Sequence, residues 1–258
     1  MKVVKIGGSA ISDKGKPFSI KFNVLSTIVD DIAEYVKSAS TDLVIIHGGG
    51  SFGHPIVYEC IKSTGGIDSR CFSITSEAMV ALNLIIISEL LSRGVNAVSI
   101  PPHTICKAIN DEFKCDMSIV KDYLSRGIIP VLYGDVVLSE SNLGFKVISG
   151  DVISWILTKE LNASTLIFVT DVEGLYTKDP KKYPDASLIS RLSRNELTNI
   201  ALSTSNNVDV TGGMLSKLLL GIKLNVNDVK VIIMNADRKR KLFNALAGHE
   251  IRGTIVWY

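Results

Sequence analysis

Short runs of Val, Ile and Leu alternate along the chain with stretches whose apolar positions recur every three or four residues. The runs are Val3–Ile6, Leu43–Ile46, Ala97–Ile100, Ile128–Leu132, Leu166–Val169, Val229–Met234 and Thr254–Trp257. Continuous β-branched runs of this length predict strands buried on both faces, as in a parallel sheet. Between them, Phe22–Lys37, Ser73–Arg93, Ser118–Ser125, Ser149–Leu161, Arg194–Leu202, Gly213–Leu224 and Arg238–Ala247 carry helical spacing. The alternation is a βαβ series, which predicts an α/β fold with a mainly parallel sheet covered on both faces. Val136–Ile148, with Ser-Asn and Gly144 near its middle, predicts a hairpin. No repeat or low-complexity linker divides the chain. A soft boundary falls near residue 165, without a change in composition.

The chain has 258 residues, 46% of them hydrophobic, and a mean hydropathy of +0.28. That suffices for one large domain or two closely joined lobes. No apolar run is expected to span a bilayer, and Met1-Lys2-Val3-Val4-Lys5 turns polar too soon for a signal peptide, so a soluble, cytoplasmic protein is expected, with no membrane partner. Cys60, Cys71, Cys106 and Cys115 are far apart, with no C-x-x-C pair and no histidine at ligand spacing. Neither a structural zinc site nor a disulfide framework is therefore predicted. The net charge is +2 with scattered lysines, which is not the basic stripe of a nucleic-acid binder. Any anionic partner is expected to be small and held at a local site.

Candidate chemistry gathers where the predicted strands end, the edge at which open α/β sheets bind ligands. The first strand runs into Gly7-Gly8-Ser9, the second into His47-Gly48-Gly49-Gly50, a third into Tyr133-Gly134-Asp135, and the strand at 166–169 into Thr170-Asp171-Val172-Glu173-Gly174. Thr211-Gly212-Gly213 then opens a helix. One glycine after a strand is ordinarily just a turn. Five such sites at one sheet edge suggest a track of backbone amides and helix N-termini that binds phosphate. Lys5, Lys14 and Lys217 stand where the track needs charge, and Lys5 tells most, because a lysine in a buried strand is costly unless paired or met by a ligand. A solvated loop lysine is the plainer reading of Lys14. The Walker pattern is absent, which excludes an ordinary P-loop.

His54, before Pro55 at the expected start of a helix, can donate to an anion or merely cap the glycine turn. Its ordinary pKa of about 6.5 lies near the second pKa of a phosphate monoester, about 6, so a dianion favours the protonated ring. His47 reads as structural, and His103 and His249 have no partner visible in the sequence. A rival reading takes Gly49-Gly50-Ser51-Phe52-Gly53 as a hydrolase nucleophile elbow and His47–Gly50 as an esterase oxyanion motif. Those motifs belong to separate loops, and here they share Gly49 and Gly50. The hydrolase reading also leaves Lys5, Lys14 and Lys217 unexplained.

Lys5-Ile6-Gly7-Gly8-Ser9, His47–Gly50, Ser149-Gly150-Asp151, Thr170–Tyr176 with Lys178-Asp179-Pro180, and Asp209-Val210-Thr211-Gly212-Gly213-Met214 together resemble the amino-acid kinase superfamily. The resemblance runs nearly the whole length in the same order. Within the superfamily, the Lys14 loop and Gly50-Ser51-Phe52-Gly53-His54 are similar to the isopentenyl phosphate kinases. The resemblance implies a three-layer αβα sandwich around an open, mainly parallel sheet and a homodimer. It implies one domain over 1–258, with an acceptor-binding N-terminal lobe (about 1–164) and a nucleotide-binding C-terminal lobe (about 165–258). The implied reaction moves the γ-phosphoryl of ATP to isopentenyl phosphate, in the supply of isoprenoid precursors. Fosfomycin kinases share the glycine loop and the histidine, so a phosphonate acceptor stays open, as does a nucleotide-binding sensor without turnover.

The same resemblance implies roles. His54 and the amides of Gly49 and Gly150 hold the acceptor phosphate. Lys5 and Lys14 stabilise the phosphoryl group in transit. Gly8, Gly50 and Lys217 hold the ATP phosphates, beside Gly7 and Ser9. Asp151 orients the lysines, although a helix N-terminal acid is the plainer reading of that position. Asp171, Gly174 and Tyr176 border the nucleotide, and Gly212 and Gly213 open the helix beneath it. Mg²⁺ is held by ATP oxygens, with no protein ligand assigned. No general base is needed, because the acceptor is an ionised phosphate oxygen. Phe72, Ile74, Met79 and Leu82 are candidates for the tail pocket, although an apolar helix stripe is ordinarily core.

Overall fold

The computed structural model describes residues 1–13, 15–110, 112–140, 144–178, 180, 182–204 and 213–258. In chain order the elements are β1 (Lys2–Ile6), α1 (Gly8–Ile11), α2 (Phe22–Ser38), β2 (Leu43–His47), α3 (Gly50–Thr64), α4 (Ser69–Ser92), β3 (Ala97–Ser99) and α5 (Pro102–Ile105). Then come β4 (Cys106–Ile109), β5 (Glu112–Cys115), α6 (Ser118–Leu124), β6 (Ile129–Tyr133), β7 (Asp135–Ser139), β8 (Gly144–Ile148) and α7 (Gly150–Glu160). The chain closes with β9 (Thr165–Thr170), β10 (Arg191–Ser193), α8 (Arg194–Thr204), α9 (Met214–Lys223), β11 (Lys230–Asn235), α10 (Lys241–Ala247) and β12 (Thr254–Trp257).

The main sheet has eight strands in the order β10-β12-β11-β9-β1-β2-β6-β3. Every pairing is parallel except β11 with β12. β1 lies between β2 and β9 in matched register, so Lys5 faces Ile46 on one side and Phe168 on the other. Side chains alternate across the strands. Val4 and Ile6 enter one core with α2, α4 and α10, whereas Val3 enters the other with α7 and α9. Each fully buried Ile, Leu or Val contributes roughly 1.5–3 kcal/mol, and two such cores explain why the strands read as unbroken apolar runs. This is the expected α/β architecture with a mainly parallel sheet.

A second, four-stranded sheet, β5-β4-β7-β8, stands apart. Its β7–β8 hairpin is the one expected over 136–148, but β4 and β5 are too short and mixed in character to read from the sequence. The helix that carries His54 spans fifteen residues and begins at Gly50, ahead of the expected start; Pro55 lies inside it and cannot donate to the Ser51 carbonyl, which accepts from Phe18 N–H at 3.1 Å instead.

Two expectations are corrected. The structure pairs Cys60 with Cys71 and Cys106 with Cys115, at Cα separations of 6.0 and 4.0 Å. The first disulfide joins α3 to α4 around their turn, and the second links directly opposed residues of β4 and β5. Topology rather than spacing brings these residues together. Second, α4 is long and apolar enough by length and composition to cross a membrane. In the fold one face of it, with Met79, Leu82, Ile86 and Leu90, is buried against the sheet, while Val80, Leu84 and Leu91 on another face are exposed.

Candidate active site

The carboxyl ends of β1, β2 and β9, with the start of β7, open onto a cavity of about 420 Å³. Lys5 shares the α7 face with Val3, and its side chain is only 7% exposed. Its Nζ lies 2.6 Å from Oδ1 of Asp151, the second residue of α7, and Lys217 Nζ lies 2.5 Å from Oδ2 of the same carboxylate. Burial pushes the Asp151 carboxyl up, but the charges of Lys5 and then Lys217 outweigh it and hold the group below its ordinary value. Asp151 is therefore an ionised bridge between two ammonium groups and is not poised as a base. The group carries a net charge of about +1 into the cavity, a setting for anions.

The helices that supply these groups are fixed from behind. Ser149 caps α7, its Oγ accepting from Val152 N–H at 3.2 Å, so the positive end of the helix meets the cavity at Gly150. Trp155 Nε1 donates to the carbonyl of Lys217 at 2.7 Å. A Cβ on Gly221 would come within 2.4 Å of the Trp155 ring, so glycine there lets α9 lie against the indole. Together they set Lys217 opposite Lys5.

The glycine turns interlock. A Cβ on Gly8 would lie 2.3 Å from the Gly50 nitrogen, and Gly50 itself has φ +50. The turns are tied further by Ser12, whose Oγ donates to the Gly8 carbonyl at 2.7 Å and accepts from Ser51 N–H at 2.9 Å. His47 is fully buried, and desolvation pushes its pKa down to about 4. The neutral ring accepts from Asn83 Nδ2 through Nε2 at 3.1 Å, which leaves Nδ1–H for the Gly48 carbonyl at 3.3 Å. The structural reading of His47 holds, and it anchors the loop that carries Gly49.

The cavity brings together Lys5, Gly7, Gly8, Ser9, Gly49, His54, Gly150, Asp151, Asp171, Gly174, Tyr176 and Lys217. Gly50, expected on the wall, packs behind Gly8 instead, because the two turns fit only back to back. Gly213 caps α9 with φ +76 beside Met214, which does line the cavity. Lys14 and Gly212, with Asp179, Asp209 and Thr211, lie outside the described residues. At one end, Tyr176 donates to Glu173 Oε2 at 3.0 Å, an oxygen that Arg252 Nε also reaches at 3.0 Å.

Part of the wall is largely apolar: Val57 of α3, Met79 of α4, Val136 of β7 and Val147 and Ile148 of β8, with Thr75 among them. Of the tail-pocket candidates only Met79 is on the wall. Phe72 stacks on Phe145 behind it, Ile74 is exposed, and Leu82 belongs to the core. The β7–β8 contribution escapes sequence reading because it depends on where the small sheet docks.

The hydrolase reading fails on Ser51, which is 1% exposed and donates through Oγ to the Ser19 carbonyl at 2.9 Å. It is a structural hydroxyl with no access to the cavity. Among the described residues, no group of three or more His, Cys, Asp or Glu is placed to hold a metal ion.

Residues 1–235 match the amino acid kinase family. The isopentenyl phosphate kinase of Methanocaldococcus jannaschii is 34% identical over 99% of this chain and 98% of its own length. That of Methanothermobacter thermautotrophicus is 36% identical over the same shares. Among solved structures, an isopentenyl phosphate kinase superposes with a TM-score of 0.83 at 32% identity, covering 99% of both chains. The substrate complex of such a kinase gives 0.78 at 28% identity, again over 99% of both.

Proposed function

The chain belongs to the amino acid kinase family and is a kinase, and from that premise we propose that it transfers the γ-phosphoryl of ATP to isopentenyl phosphate, giving isopentenyl diphosphate and ADP. The observation that carries this reading is the division of one cavity. The Lys5–Asp151–Lys217 group and the glycine turns, His54 with Gly49, and a set of apolar side chains all line it. A small phosphate ester with a hydrocarbon tail is the acceptor that uses all three.

Donor and acceptor are both anions, so catalysis rests on positioning and charge neutralisation. His54 and the amides of Gly49 and Gly150 hold the acceptor phosphate. Lys5 neutralises the phosphoryl group in transit, with Lys14 assigned the same task by sequence. Lys217 and the turn Gly7-Gly8-Ser9 hold the ATP phosphates, while Asp171, Gly174 and Tyr176 border the nucleotide. Asp151 keeps both lysines in place. The acceptor oxygen is already ionised and attacks phosphorus directly, and the bond to the ADP oxygen breaks in line.

Mg²⁺ fits this donor set as a companion of ATP, because both oxygens of Asp151 are taken by lysines. It would be held by the nucleotide's phosphate oxygens, where it supplies charge neutralisation. We assign acceptor binding to the N-terminal lobe and nucleotide binding to the C-terminal lobe, divided near residue 165. We place the reaction in the cytoplasm and expect a homodimer, whose candidate surface is the exposed apolar face of α3 and α4 with Tyr58, Ile61, Val80, Leu84 and Leu91.

The test is ADP release with ATP and Mg²⁺ in the presence of isopentenyl phosphate, dimethylallyl phosphate, fosfomycin or UMP, with His54→Ala as control. We expect isopentenyl phosphate to lead in kcat/KM by orders of magnitude and the variant to lose it. ATP binding without release to any acceptor would overturn the proposal in favour of a sensor, and a lead for fosfomycin would reassign the acceptor.

A further inference from the structure

The wall of the cavity holds a buried carboxylate and its hydrogen-bond partners outside the roles assigned above. Asp135, the first residue of β7, is 2% exposed, and its carboxylate has no exposed surface. Its Oδ2 accepts from His103 Nδ1 at 2.7 Å and from the His103 backbone N–H at 3.2 Å. Its Oδ1 accepts from Val136 N–H at 2.8 Å and from Ser76 Oγ at 3.4 Å. The carboxylate thus joins β7 to α4 and to α5.

Its neighbours make those walls functional. Thr75, adjacent to Ser76, and Met79, one turn on, face the cavity from α4, and Val136 faces it from β7. Asp135 is opposite Ile148 and Val136 is opposite Val147, so holding the start of β7 also holds the facing residues of β8. On the outer side, the His103 ring lies T-shaped against Phe72, which stacks on Phe145 of β8. The hairpin belongs to the small sheet and, among the described residues, shares no strand pairing with the main one.

A buried carboxylate is costly unless its oxygens are fully hydrogen-bonded, and apolar residues of the same volume usually stabilise at least as well. It does supply direction, since a carboxylate that accepts four donors has one position relative to them. The donors also draw its charge away from the cavity, leaving apolar groups to face the ligand. We infer that Asp135 and His103 are positioning residues that hold the β7–β8 hairpin against α4 at the spacing the acceptor's tail requires. This inference rests on the proposed reaction. It assigns tail recognition to a pair that itself touches no reacting atom.

The test uses His103 variants of the full-length enzyme, because His103 is partly exposed on a short helix and Asp135 is not. Initial rates are measured with isopentenyl phosphate and with methyl phosphate, which has no tail, at varied ATP. Removing a hydrogen bond to a buried carboxylate supports an expected rise of about 10-fold in KM for isopentenyl phosphate in His103→Ala. KM for ATP and kcat stay within about twofold, KM for methyl phosphate does not move, and His103→Asn, which keeps an N–H donor, recovers most of the loss. An unchanged KM for isopentenyl phosphate in His103→Ala, or equal losses with both acceptors, would overturn the assignment. Failure of the reaction itself is separately visible, as absence of turnover of isopentenyl phosphate by the unsubstituted enzyme.

Discussion

The two ends of the cavity are built by different means. The phosphate end is made of backbone and fixed charge: interlocked glycine turns, the start of α7, and one carboxylate shared by Lys5 and Lys217. The tail end is made of side chains from four elements, with Val57 of α3 and Met79 of α4 joined by Val136 and Val147 of a separate sheet. A backbone site admits almost no substitution, because a Cβ has nowhere to go. A side-chain pocket tolerates changes of volume and converts them into changes of preference. The first end should govern whether transfer occurs, and the second which acceptor receives it.

The largest break is expected at the charged bridge. Lys5→Ala removes the transit charge and leaves Asp151 with one partner, so kcat should fall by about 1,000-fold. Single-turnover rates check this, since ATP binding should weaken far less. Next comes the anchor behind the glycine loop. The His47 pKa is lowered from 6.5 to about 4, so the unfolded chain binds more protons between these values. Stability conferred by the neutral ring is therefore complete above about pH 6.5 and lost as pH falls towards 4, by roughly 3 kcal/mol in all. Denaturant melts at pH 7 and pH 4.5 measure it, and His47→Gln should flatten that part of the dependence.

Gly8→Ala tests the backbone end without touching charge. Its Cβ would meet the Gly50 nitrogen at 2.3 Å, so one turn must shift, and kcat/KM should drop by about 100-fold for every acceptor alike. The smallest effect sharpens the contrast from the other side. Met79→Ala should raise KM for isopentenyl phosphate by about 10-fold with kcat nearly unchanged, while longer prenyl phosphates gain relative to it. Steady-state rates over a series of tail lengths check both halves.

The same division decides what is legible in the sequence. The strands of the main sheet are buried on both faces, so their apolar runs stand out, and the glycines, Lys5, Asp151 and Lys217 follow them at fixed places. Local chemistry is enough there. Gly50 shows the limit, because a glycine needed for packing against another turn looks the same in sequence as one that faces a ligand. At the tail end the signal is tertiary. β4 and β5 carry too little pattern to be seen, and His103 gains its partner Asp135 only when α5 folds onto β7. The cysteine pairs hide for the same reason, since opposition across β4 and β5 brings Cys106 and Cys115 together.

The most direct test of a cavity divided between phosphate and tail is the ratio of kcat/KM for isopentenyl phosphate to that for methyl phosphate. The tails differ by four carbon groups at about 0.8 kcal/mol each, roughly 3 kcal/mol when fully buried, which corresponds to a ratio of about 100 or more. A ratio of that size, carried mainly by KM, is the expected result. A ratio near one would contradict it, since the apolar wall would then play no part in choosing the acceptor.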